Sequence, residues 1–159
     1  RYLLGTKGAN PLICIGINPS TAAPGALDNT LKSVERIAKG NGFDSFLMFN
    51  VYAQRATRPD DMERSCNPVL HAENRRAFRY LLSLSPAPAL WAAWGNIIEK
   101  RDYLMDCMRD FAADGQAANA QWFTAGPLLK SGHPHHPLYL RRDTALLPFD
   151  IQAYLDARA

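Results

Sequence analysis

Cysteine is scarce in this 159-residue sequence: three copies, at Cys14, Cys66 and Cys107, with no CxxC pair. An odd count without an even framework argues against a disulfide-stapled secreted domain and for a reduced compartment, the cytoplasm. No apolar run approaches the ~20 residues that a bilayer crossing needs; stretches such as Pro11 to Ile17 are far shorter. There is no charged start leading into an apolar segment, no low-complexity tract, and no repeat at a period of about 20–50 residues. The Walker loop, GxGxxG, HExxH and GxSxG patterns are missing too, which removes the most familiar nucleotide, metalloprotease and hydrolase readings. Lysine is also scarce, 5 residues against 13 arginines. That bias suits planar, bidentate contact with phosphate or carboxylate.

What is present suits one soluble domain over residues 1–159. The chain is 47% hydrophobic and 21% charged, enough for a full core, and its formal net charge is only +3. A mild excess permits a polyanionic partner without demanding one.

Short apolar runs alternate with amphipathic stretches. Leu12 to Ile17 is apolar on both alternations and stops at Asn18-Pro19, the mark of a strand buried on both faces. Leu31, Val34, Ile37 and Ala38 then follow helical spacing, from a capping candidate at Asp28 to Gly40 and Gly42. Phe46 to Phe49 is a second strand candidate, ended by Asn50. After a loop rich in Arg, Pro and Asp (Arg55 to Cys66), Asn67-Pro68 opens a helix, with proline where no amide donor is missed. Leu70, Ala77, Tyr80, Leu81 and Leu84 are expected on its buried side.

Ala89 to Trp94 is a third strand candidate, with Trp91 and Trp94 expected in the core. Asn96 and Glu99 resemble a capping pair for a helix carrying Leu104, Met108 and Phe111. Ala120 to Ala125 is a fourth, weaker strand, followed by a long loop to Tyr139 and a short helix from about Asp150. The order βαβαβαβ predicts a three-layer α/β/α sandwich around a four-stranded parallel sheet.

Such sheets bind ligands at the carboxyl ends of their strands. The residues there are Asn18, Asn50, Asn96 and the loop Gly132-His133-Pro134-His135-His136-Pro137. Asn18, with Pro19 that cannot donate and the hydroxyl of Ser20, can orient a water or read a ligand edge; alternatively it turns the chain before proline. Asn50 offers a donor and an acceptor, matching the mixed edge of a nucleobase; alternatively it closes the strand end on backbone. In the loop, a histidine can steady an anionic leaving group or transfer a proton; alternatively the histidines close the loop. His135 and Tyr139 belong to the same segment. Zinc normally takes three or four ligands, and no carboxylate or cysteine stands at a usual spacing from these histidines, so neither metal nor cofactor is expected. Asp28 either caps its helix or places a carboxylate over the crevice. Arg55, Arg58, Arg141 and Arg142 flank its mouth, either to meet phosphates or as solvated charge.

Five blocks in order, GINPSTA (Gly16 to Ala22), FNVYAQRAT (Phe49 to Thr57), CNPV…EN (Cys66 to Asn74), AAWGN (Ala92 to Asn96) and GHPHHPLYL (Gly132 to Leu140), resemble the bacterial and phage family DUF1643. No activity carries over from it. More loosely, the same blocks are similar to the uracil-DNA glycosylase superfamily. GINPS resembles the motif whose Asn positions the attacking water, which implies that role for Asn18. FLMFN resembles the strand ending in the Asn that reads uracil, here Asn50. The last block resembles the motif whose His stabilises the departing uracil anion, here His133 or His136. HPHHPLY departs from that family's HPSPLS.

The resemblance implies a uracil-DNA glycosylase-like fold and a site for a nucleobase, nucleotide or nucleic acid, with hydrolysis of an N-glycosidic bond. A non-catalytic nucleotide or nucleic-acid binding module is the alternative. No membrane partner is expected, and the oligomeric state is open.

Overall fold

The computed structural model describes residues 4–6, 8–17, 24–52, 62–137, 140–141 and 143–158. The four expected strands form and lie side by side: β2 (Pro11–Gly16), β3 (Ser45–Asn50), β4 (Ala89–Ala92) and β5 (Gln121–Ala125). They run parallel in the order β3-β2-β4-β5, with Gly16 opposite Asn50 and Ile15 opposite Ala92.

The sheet is larger than the four strands expected. Two antiparallel edge strands complete it: β1 (Leu4–Gly5) against β3, and β6 (Leu146–Pro148) against β5. Neither could be read from periodicity, because two or three residues hold no period and one strand ends in Pro148, a residue tolerated on edges.

Alternation along the strands explains the layers. Leu12, Cys14, Phe46, Trp91 and Ala93 face one side, where they pack with Val34, Ile37 and Ala38 of helix α1 (Pro24–Gly40). Ile13, Ile15, Phe49, Leu90, Ala92 and Trp94 face the other, against helices α2 (Pro68–Leu82) and α3 (Tyr103–Ala117) and the short α4 (Ile151–Asp156). A sheet covered on both faces must be apolar on both. Trp91 and Trp94 are both 0% exposed, core residues as expected.

Several helix details differ from expectation. Helix α1 starts at Pro24, so Asp28 lies within it and does not cap it; proline supplies the preset φ of a first turn. Helix α2 begins as read: Asn67 Oδ1 accepts from Val69 N and Leu70 N at 3.0 and 3.2 Å, with Pro68 behind it. Its buried stripe, however, runs through Asn74, Phe78, Leu81 and Leu82, leaving Tyr80 60% and Leu84 47% exposed. Asn74 occupies a core position, so an apolar-only reading rotates the stripe. Asn96 and Glu99 do not cap α3; they sit in a 3-10 segment, Gly95–Lys100, that precedes it. No helix of the described residues is long and apolar enough to cross a membrane.

Candidate functional site

The topology marks one place on this sheet. The chain leaves β2 toward α1 on one face, while β3 and β4, its neighbours on either side, lead to α2 and α3 on the other. Connections that part in opposite directions leave a crevice at the carboxyl ends. By that rule the place for a ligand is the end of β2.

Three small residues line that end: Gly16 on β2, and Ala93 and Gly95 beyond β4. Asn50, on β3, shares the α1 face with Phe46 by the twofold alternation of a strand. A Cβ placed on Gly16 would lie 3.2 Å from Asn50 Oδ1, so the glycine makes the room that the amide occupies. The Asn50 amide makes no hydrogen bond to another described residue, whereas its backbone is fixed from behind: Asn74 Nδ2 donates to Asn50 O at 2.8 Å and to Val51 O at 3.3 Å. Asn74 is 1% exposed. Its signal in the sequence is a polar residue on the face of α2 that carries Phe78 and Leu81.

The loop after β5 returns across the end of β4. Gly95, at φ +60°, donates its N–H to Pro134 O at 2.9 Å, and a Cβ on it would stand 3.7 Å from His136 Cβ. One residue on, Ser33 of α1, only 5% exposed, donates to Pro137 O at 2.8 Å. His136 therefore lies between the β4 exit and α1, on the face that Asn50 also uses. Nothing in the pattern of α1 singles out Ser33 beforehand.

The three loop histidines do different things. His133 is 1% exposed and its Nδ1 lies 2.7 Å from Tyr154 Oη, which also takes the Trp94 Nε1–H at 2.9 Å. An indole N–H can only donate, so the tyrosine oxygen accepts from Trp94, and the tautomer of His133 sets which partner donates in the second bond. His133 Nε2 is 3.1 Å from Glu99 Oε1 but off the line of a good hydrogen bond. His133 is the pin of a latch joining the loop to α4. His135 Nδ1 lies 2.6 Å from His136 O; a carbonyl only accepts, so that nitrogen carries the proton.

His136 is different again: burial, and secondarily the charge of His135, lower its pKa below the usual 6.5. A neutral imidazole at neutral pH keeps one N–H to donate and one nitrogen to accept. Because the folded value lies below the unfolded one, the unfolded chain takes up the proton first as pH falls through 6.5. That uptake lowers folding stability in the window from 6.5 down to the depressed value. An NMR titration of the imidazole, assigned with a His136→Asn variant, should give a midpoint under 6.5; a midpoint at or above it contradicts this environment.

Of the other expected site residues, Asn96 is exposed and its Oδ1 accepts from Ser131 at 2.5 Å, so it ties down the loop outside the crevice. Arg141 is on the surface, 3.6 Å from Asp143. Asn18, Pro19, Ser20, Arg55, Arg58, Tyr139 and Arg142 lie outside the described residues, as does the side chain of Asp28. Among the described residues no group of three or more His, Cys, Asp or Glu could hold a metal.

Comparison with family descriptions matches residues 1–138 to "Protein of unknown function (DUF1643)". Curated proteins and solved structures give no match.

Proposed function

From the premise that the chain belongs to the DUF1643 family, we propose that its crevice binds a nucleobase, held in a nucleotide or nucleic acid, and hydrolyses the N-glycosidic bond. In this reading the domain is uracil-DNA glycosylase-like and works in the cytoplasm. The observation that carries it is the pairing of an Asn50 amide, without a side-chain hydrogen bond among the described residues, with a neutral His136 at the ends of the strands around Gly16, Ala93 and Gly95. Small residues leave space for a flat ring. The amide offers a donor and an acceptor to its edge, and the imidazole offers an N–H to charge that develops on it.

The chemistry needs little more. Asn18, at the exit of β2, holds a water that adds to the anomeric carbon. As the glycosidic bond breaks, its electron pair passes to the base nitrogen, and the His136 N–H steadies that anion. The water's proton ends on the departing base. Drawing a base out of a duplex costs a few kcal/mol, least for a single strand or a mismatch.

The test is turnover of uracil-containing single- and double-stranded oligonucleotides, read as abasic sites. Wild-type protein should convert them, and Asn18→Ala and His136→Ala should each lose about 100-fold or more, the usual share of a positioned group. No product from wild type removes the catalytic claim. A melting-temperature shift with free bases, without product, identifies the protein as a binding module instead.

Binding should depend on the amide in a graded way. Asn50→Ala deletes a two-point contact and should weaken uracil by about 5- to 150-fold, from ~1–3 kcal/mol. Gly16→Ala keeps an ordinary backbone conformation but pushes on Asn50 Oδ1, so it should fold normally and weaken binding less. Calorimetric titration of both variants checks this order; a Gly16→Ala protein that binds like wild type contradicts the packing of Asn50 against Gly16.

A further inference from the structure

The opposite face of the sheet has an opening of its own. A cavity of about 480 Å³ lies against the carboxyl end of β5, walled by β6, by α4 and by the loop that leads to His133. Thr124, in its lining, shares a strand face with Trp122, which packs in the α4 layer. Asn50 uses the other face, so the two places are distinct. The cavity wall is mostly hydrocarbon, and Leu128 and Leu147 in it stand 45% and 43% exposed. Large aliphatic side chains left open around one hollow suit a small ligand with an apolar body.

Two charged residues interrupt that wall, at opposite ends of α4. Asp150 opens the helix, its Oδ1 accepting from Ala153 N at 3.0 Å, and Arg158 follows the last turn. Eight residues of helical rise separate them by about 12 Å. Arg158 is held from three sides. Its guanidinium lies 4.2 Å from the centre of the Tyr154 ring, Nη1 donates to Tyr154 O at 3.2 Å, and Nη2 donates to Ser131 O at 2.9 Å. Gly132, at φ +87°, leaves the room, since a Cβ there would stand 2.9 Å from Nη2. Both hydrogen-bond partners are carbonyls, which fix the group without cancelling its charge. Among the described residues no carboxylate pairs with Arg158, and three of its five N–H donors are unused.

We propose that this cavity is a second binding site, which takes a small amphipathic monoanion. A carboxylate meets the Arg158 guanidinium, and its aliphatic or aromatic body covers Leu128, Leu147 and Phe149. A prepositioned guanidinium beside an apolar wall binds such a head through charge-assisted hydrogen bonds. Asp150, at the far end, disfavours a second negative charge, which sets the preference for one. Gly132 directly precedes His133, so an occupant also braces the histidine loop, and the melting temperature should rise with its concentration.

The test uses three probes with the same six-carbon chain: hexanoate, hexanol and adipate, carrying one, no and two charges. Each is titrated into the native full chain at constant ionic strength and followed by NMR. Hexanoate should saturate one site, shift the Gly126, Gly132 and Leu147 amides, and leave the Asn50 side-chain amide in place. It should bind about tenfold or more tightly than hexanol, the usual share of a hydrogen-bonded charge, and more tightly than adipate. Arg158→Gln, with its circular dichroism intact, should bind hexanoate no better than hexanol. Ala153→Glu leaves Arg158 alone and adds a carboxylate at an exposed position of the wall, and should have the same effect. The proposal is overturned if hexanoate gives no saturable shift, if hexanol or adipate binds as tightly, if the shifts fall on the β2 end, or if either folded variant binds hexanoate like wild type.

Discussion

Tyr154→Phe should lower the melting temperature by roughly 4–24 °C while leaving the fold's circular dichroism intact, taking ~2–4 °C per kcal/mol for a domain of this size. The substitution removes one oxygen and keeps the ring. Ring packing on Trp94 (5.7 Å between centroids), Phe149 (5.4 Å) and His133 (5.8 Å) is retained, as is the Arg158 guanidinium 4.2 Å from the ring centre. What is lost is the hydroxyl between two buried groups, the Trp94 N–H and His133 Nδ1. With the oxygen gone, both stay buried without a partner, at about 1–3 kcal/mol each.

Burial also raises the Tyr154 pKa, so the hydroxyl stays protonated and able to donate at ordinary pH. Nitrogen NMR of His133 reads directly whether Nδ1 accepts from that hydroxyl or donates to it. In Tyr154→Phe the latch between α4 and the histidine loop is cut, and the His136 segment should become more labile in hydrogen exchange. A variant that melts within a degree of wild type would show that the hydroxyl is not the junction described.

Phe111→Ala should destabilise the protein still more consistently, by about 3–5 kcal/mol, the range for a large buried aromatic. Phe111 is 0% exposed. It stands edge-on to Phe49 (5.2 Å, 85°) and to Phe78 (5.1 Å, 73°), so one ring joins α3, β3 and α2. Alanine would leave a cavity walled by rings that cannot collapse toward each other without moving a strand. Phe111→Leu restores most of the volume and should recover most of the loss. Urea denaturation checks both: the midpoint falls and the slope stays constant if the native packing alone has changed. Since Phe49 directly precedes Asn50, the cavity should also loosen the end of β3.

The parts of this protein legible from sequence are those where burial leaves a pattern. Leu12 to Ile15, Phe46 to Phe49 and Ala89 to Trp91 could be read as parallel strands because both faces of each must be apolar. Asn67-Pro68 announced a helix start through local hydrogen bonding, which needs no tertiary information. Strands β1 and β6 lack such a pattern, being short and held by their neighbours' backbone. The 3-10 segment at Asn96 departs from local pattern for a related reason: its amide oxygen accepts from Ser131, 35 positions away, and no local rule anticipates that.

The site divides the same way. The strand-end rule led to Asn50 and to the histidine loop from order alone. It could not separate His133 from His136, because the difference lies in Tyr154 and Gly95, which come from other elements. Ser33 and Gly16 were silent, one as an ordinary hydroxyl and the other as an absent side chain.

The most direct measurement follows the Asn50 side-chain amide and the His136 imidazole by NMR while free uracil is titrated into the native protein. Both signals should move, saturate with one shared dissociation constant, and lose the response together in Asn50→Ala. If neither moves at uracil concentrations that saturate the protein by calorimetry, or if uracil shifts only residues away from the β2 end, the crevice is not the base site.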